Sequence, residues 1–138
     1  MMAKIFILIA SSIFLILGIT HLVYTFFTNK FLTRDGETNK RMNSTSPILT
    51  KETTVWKAWI GFNASHSIGA IFFGVINIYI LQNFNVTLED YPFFCILNIS
   101  IVGFYLWLAN KYWFRIPFWG ILLTLFCYFF VIIMTLLN

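Results

Sequence analysis

His21 and His66 are the two histidines of the chain, and both sit inside long apolar stretches among other small or polar side chains. The first stretch carries Gly18, Thr20, His21 and Thr25, and the second carries Gly61-Phe62-Asn63-Ala64-Ser65-His66-Ser67-Ile68-Gly69. A neutral imidazole can pass a proton, donate or accept a hydrogen bond, or ligate iron. A neighbouring serine could in principle act as a nucleophile. In hydrocarbon, polar groups of this kind are costly unless partnered, so they are expected to face a protein interior. Helical spacing agrees: Gly18, His21 and Thr25 fall at i, i+3 and i+7, and Asn63, His66, Ser67, Ala70, Gly74 and Asn77 make one stripe.

Three chemistries suit such a cluster. The histidines can brace two helices through hydrogen bonds to each other, to Asn63 or to a carbonyl. His21, Thr25, Asn63, His66 and Ser67 can line a pocket for a small hydrophobic or amphiphilic molecule, a lipid or a quinone. Two facing imidazoles can also hold a haem. A four-ligand zinc site is not expected, because two histidines lack nearby thiols or carboxylates. No Asp or Glu falls within the apolar stretches, which removes the usual carboxylate base. Ser67 follows His66 directly and points elsewhere on a helix, so a hydrolase is a poor reading, and no catalytic residue is assigned. One polar patch does not line a pore.

The elements that must position these residues follow from composition. Hydrophobic residues make up 59% of the chain and charged ones 10%, with mean hydropathy +0.82. Soluble domains carry about 25% charged residues, so the solvent here is mostly lipid. Apolar stretches run over about residues 5–27, 55–81, 92–109 and 117–137. At 1.5 Å per residue, each can cross the ~30 Å hydrocarbon layer as one helix. Continuous rather than alternating hydrophobicity excludes a β-barrel. The first stretch is too long for a signal peptide's apolar core and has a poor cleavage triplet at Gly18-Ile19-Thr20, so it reads as a retained helix. The expected fold is a single-domain, all-α integral membrane four-helix bundle.

Eight of the nine basic residues flank the first and third connections: Lys30, Arg34, Lys40, Arg41, Lys51, Lys57, Lys111 and Arg115. The second connection carries Glu89 and Asp90 instead. Basic residues favour the cytoplasmic side, which predicts both termini outside and a multi-pass protein of a bacterial inner membrane. Trp56, Trp59, Trp107, Trp113 and Trp119, all five tryptophans, fall near this same inner interface. The net charge of +4 is explained by orientation, since no dense basic block points to nucleic acid.

Antiparallel packing of the first two spans would bring the histidines to one depth. His21 lies about six residues, ~9 Å, from the inner end of its span, and His66 about eight residues, ~12 Å, from the start of its own. Gly61, Ser65 and Gly69 recur every fourth residue and are expected to form a groove for close helix packing. The polar loop, about residues 28–54, is expected to be mobile or partly helical, with a turn at Asp35-Gly36. Cys95 and Cys127 should differ by ~10 Å in depth, beyond the ~7 Å Cα limit of a disulfide. Asn43, Asn63, Asn85 and Asn98 match the short glycosylation pattern, which is weak evidence on its own.

The histidine near the end of the first span, the charged loop with Met42, and above all Gly61-Phe62-Asn63-Ala64-Ser65-His66-Ser67 resemble a family of small, uncharacterised four-helix bacterial membrane proteins. The resemblance covers essentially the whole chain. It implies the fold and carries no activity, substrate or cofactor with it. The functional expectation is an intramembrane lipid- or quinone-binding site built on the histidines. The alternative is a non-catalytic subunit or assembly factor with a membrane-protein partner or a second copy of itself.

Overall fold

A computed structural model describes residues 2–84 and 92–136. Glu89, Asp90 and the Asn85 motif lie outside the described residues. The elements are α1 (Met2–Phe27), α2 (Gly36–Ser44), α3 (Val55–Asn83), α4 (Pro92–Tyr112) and α5 (Arg115–Leu136). The fold is all-α, and four of these helices are long and apolar enough to cross a membrane, as in a multi-pass membrane protein. Helix is the structure such sequences must take in lipid, because it satisfies every interior backbone group within the segment.

Helix ends extend past the apolar runs for local reasons. α4 continues through Lys111 to Tyr112, placing a cation against the negative end of the helix dipole. α5 begins at Arg115, so Pro117 occupies the third helical position. First-turn amides have no intrahelical acceptor, and a proline there forfeits no bond.

The chain divides into two compact units, Met1–Leu17 with Ala70–Asn138, and Gly18–Gly69. In the first, segments of α1, α3, α4 and α5 form a four-helix bundle around Ala10, Phe14, Ala70, Phe73, Val102, Ile121 and Tyr128. Phe14 packs its ring 4.7 Å from Phe73 and 5.3 Å from Tyr105. α1 and α3 approach closely at Gly74, where an added Cβ would lie 2.7 Å from the Ser11 carbonyl oxygen and 2.8 Å from Leu15 Cβ. Polar groups are buried here too. Tyr128 donates its hydroxyl to Asn77 Oδ1 at 3.3 Å, while Asn77 Nδ2 donates to the Phe73 carbonyl at 2.9 Å. Cys95 and Cys127 are buried free thiols.

The second unit contains the end of α1, all of α2 and the start of α3. Asp35-Gly36, expected as a turn, instead starts α2. Asp35 is the N-cap, and its carboxylate accepts from the Glu37 and Thr38 amides at 3.2 and 2.9 Å and from the Thr38 hydroxyl. A short acceptor side chain in extended backbone satisfies first-turn donors, which is what a cap requires. These bonds hold the Asp35 carboxyl below its usual value, the Thr38 hydroxyl contributing most. Asn39 ties α2 to the preceding loop by accepting from the Thr33 amide at 2.9 Å and donating to the Thr33 carbonyl at 3.0 Å. The Val55 amide donates to the Thr45 carbonyl at 2.9 Å, closing the loop onto the start of α3.

The expected packing groove is corrected by burial. Gly61, Ser65 and Gly69 are all exposed, and a Cβ added at Gly61 would meet nothing within 4 Å. Four-residue spacing defines a helix face without saying which face meets a neighbour. The buried face of α3 carries Asn63, Ser67, Ala70, Gly74 and Asn77.

Candidate functional site

α1 and α3 present their polar faces to each other within the second unit. Thr25, Asn63 and Ser67 are buried there, Ser67 completely, while the His21 and His66 rings are partly buried. The two imidazoles lie edge to face with centroids 5.5 Å apart. His21 Nε2 and Asn63 Oδ1 are 3.1 Å apart.

The direction of that bond is set by the other end of the amide. Asn63 Nδ2 donates to the Trp59 carbonyl at 2.8 Å, one turn earlier on α3. The amide nitrogen must face that carbonyl, which leaves Oδ1 toward His21. An amide oxygen can only accept, so Nε2 of His21 carries the hydrogen and donates. In the neutral ring, Nδ1 then holds the lone pair and acts as the acceptor.

The hydroxyls are committed to their own helices. Thr25 Oγ1 donates to the His21 carbonyl at 2.8 Å, and Ser67 Oγ donates to the Asn63 carbonyl at 2.7 Å. Ser65 Oγ, on the exposed side, donates to the Phe62 carbonyl at 2.9 Å. Such i to i−4 and i to i−3 bonds satisfy a hydroxyl in a helix without a partner element. None of the three is aligned with an imidazole as a nucleophile would be. Of the five residues expected at the site, Thr25 and Ser67 therefore shape it, whereas His21, Asn63 and His66 supply its polar atoms.

Two aromatic residues complete the surroundings, Phe31 and Trp59; the sequence places Trp59 near the inner interface but assigns neither to the site. The Phe31 ring, from the loop after α1, stands edge to face against His21 at 4.9 Å and lies 6.1 Å from Trp59. Only the loop's path brings Phe31 back over the α1 terminus, and no periodic pattern in the sequence signals that return. Among the described residues no group of three or more His, Cys, Asp or Glu side chains gathers to hold a metal ion. No family model, curated relative or solved structure matches the chain, so the chemistry of the site rests on its own residues.

Proposed function

We propose that this multi-pass membrane protein binds a small amphiphilic molecule, a lipid or a quinone-type compound, at His21, Asn63 and His66, with Thr25 and Ser67 shaping the walls. The observation that carries this reading is the fixed polarity of His21. Its Nε2–H is occupied by Asn63, whose amide is held by Trp59, so in the neutral ring the remaining nitrogen is an acceptor. An acceptor beside the aromatic Phe31 suits a hydroxyl on an apolar body, as in a quinol or a lipid glycerol. The partly buried imidazoles are more accessible than the buried hydroxyls of Thr25 and Ser67.

The haem alternative would have to use Nδ1 of His21. For His21 to ligate iron through Nε2, that nitrogen would have to lose its hydrogen and its bond to Asn63. The subunit or assembly-factor reading is favoured by a different feature. Ile48 and Leu49 are 109% and 93% exposed in the polar loop, outside the apolar spans, as residues awaiting a protein partner would be. The distribution of basic residues supports placing that loop in the cytoplasm and both termini outside, in a bacterial inner membrane. The likeness to small four-helix bacterial membrane proteins carried by Gly61 to Ser67 is in keeping with that location.

Purification in mild detergent followed by lipid extraction and mass spectrometry tests the reading. A lipid or quinone in stoichiometric amount, lost from both His21→Leu and His66→Leu while the helices remain folded, is the expected result. A preparation carrying no such molecule but a stoichiometric second protein would replace it with the subunit reading.

A further inference from the structure

Outside the histidine cluster, the corner between α4 and α5 carries a cavity. It has a volume of about 430 Å³ and is lined by Asn110, Trp113, Phe114, Arg115, Phe118 and Trp119. Its lining is largely aromatic, with Arg115 the one cation and Asn110 the one amide side chain among the lining residues. Beside it Lys111 holds its ammonium 5.3 Å from the centroids of both Trp107 and Tyr112, a cation–π placement that keeps a second positive charge at the corner. The unit containing this corner has no Asp or Glu among its described residues, since Asp35, Glu37 and Glu52 all fall within Gly18–Gly69. The cations at Lys111 and Arg115 therefore have no described carboxylate in their own unit. Trp107, Tyr112, Phe114 and Trp119 are all exposed, and amphipathic aromatics at the ends of spanning helices mark the level of lipid headgroups.

We infer that this corner binds the phosphate of an anionic phospholipid, with Arg115 and Asn110 at the headgroup and the Trp113, Phe118 and Trp119 rings against the upper acyl chain. Arginine's planar fork of donors matches phosphate oxygens. Basic pockets between spanning helices at the headgroup level are suited to anionic lipids. A zwitterionic lipid brings a cation of its own, which would meet two positive charges and no described carboxylate in this unit, so the charge selects an anionic headgroup. The assignment uses none of the residues around His21 and stands or falls separately from it.

The test is native mass spectrometry of the full chain, delipidated in detergent and titrated with phosphatidylglycerol, with phosphatidylcholine of the same acyl chains, and with inorganic phosphate. Preferential retention of phosphatidylglycerol is expected, falling about fivefold in Arg115→Gln and kept in Arg115→Lys. Lys111→Gln should lower the preference in the same direction, which tests the corner even if Arg115→Gln fails to fold. Equal retention of the two lipids, an unchanged preference in both Gln variants, or displacement of the lipid by inorganic phosphate alone would overturn the assignment.

Discussion

His21 donates from Nε2 to Asn63 across the 42 residues that separate them in sequence, and Asn63 is oriented for this by its own bond to the Trp59 carbonyl. The pair links α1 to α3 through a side chain that cannot rotate without losing one of its two bonds. Asn63→Leu should therefore do more than remove a contact, because it leaves the partly buried His21 ring with an unmatched donor. A loss of about 1 to 3 kcal/mol is expected from such a group. The double variant His21→Leu with Asn63→Leu should recover part of that loss. A thermal-unfolding cycle in detergent checks this, and strictly additive losses would show that the two side chains do not couple.

A comparable bond lies in the first unit, where Tyr128 is 3% exposed and donates to Asn77 Oδ1. Tyr128→Phe keeps the ring in the core and removes only the hydroxyl. Interhelical hydrogen bonds in membrane bundles contribute on average about 0.6 kcal/mol, up to about 1.7, and a loss in that range is expected. Asn77→Leu should cost more, since it also puts a branched side chain where an amide fitted. Equal stability of Tyr128→Phe and the parent would mean that the bond to Asn77 adds nothing net to stability.

Much of this arrangement can be read in the amino-acid sequence, and the exceptions have physical causes. Long apolar runs announce the four spanning helices because lipid allows little else. The polar stripe from Asn63 to Asn77 marks the inward face of α3 because burying a polar group in protein costs less than leaving it in lipid. Gly61, Ser65 and Gly69 mislead because small residues are tolerated on a lipid-facing surface as readily as at a contact. Tyr128 is hidden by its company, as one aromatic residue among Phe126, Phe129 and Phe130. Asp35-Gly36 serves equally as a turn or as a cap and first helical residue, and only the bonds to Glu37 and Thr38 decide between them.

That cap makes the loop sensitive to acid. The Asp35 carboxyl is held below its ordinary value by the Thr38 hydroxyl first, then by the Thr38 and Glu37 amides. A carboxylate whose folded value is depressed stabilises its structure fully above the unfolded value, about 3.9. That contribution is lost as pH falls through the lower, folded value. α2 should therefore remain helical at neutral and mildly acidic pH and fray only below about pH 4, while the spanning helices keep their helicity. Amide chemical shifts of Glu37 and Thr38 followed by NMR during an acid titration would show this. Asp35→Asn should largely remove the pH dependence while retaining a capping oxygen, and an unchanged titration in that variant would assign the effect to another group.

Topology is tested from outside the fold. With the basic loop in the cytoplasm, a cysteine introduced at Asn43 should resist a membrane-impermeant thiol reagent in intact cells and react after lysis. A cysteine at Asn85, in the acidic second connection, should react in both. The native thiols Cys95 and Cys127 are buried and should give little background. The reverse labelling pattern would place the polar loop on the outer face.

The glycines of α3 provide the sharpest contrast, because two of them on one helix are expected to respond oppositely to the same added methyl group. At Gly74 a Cβ would meet backbone atoms of Ser11 and Leu15 at 2.7 and 2.9 Å, closer than side chains tolerate, and backbone cannot rotate aside as a side-chain tip can. Gly74→Ala should force α1 and α3 apart and cost about 1 to 3 kcal/mol by overpacking. At Gly61 the same methyl would meet nothing within 4 Å. Gly61→Ala should leave packing intact and gain up to about 1 kcal/mol from helix propensity. Thermal denaturation of both variants in one detergent separates the two faces of α3 directly. If Gly61→Ala were the more damaging, the exposed stripe would be the true contact face, and α3 would have to be turned about its axis.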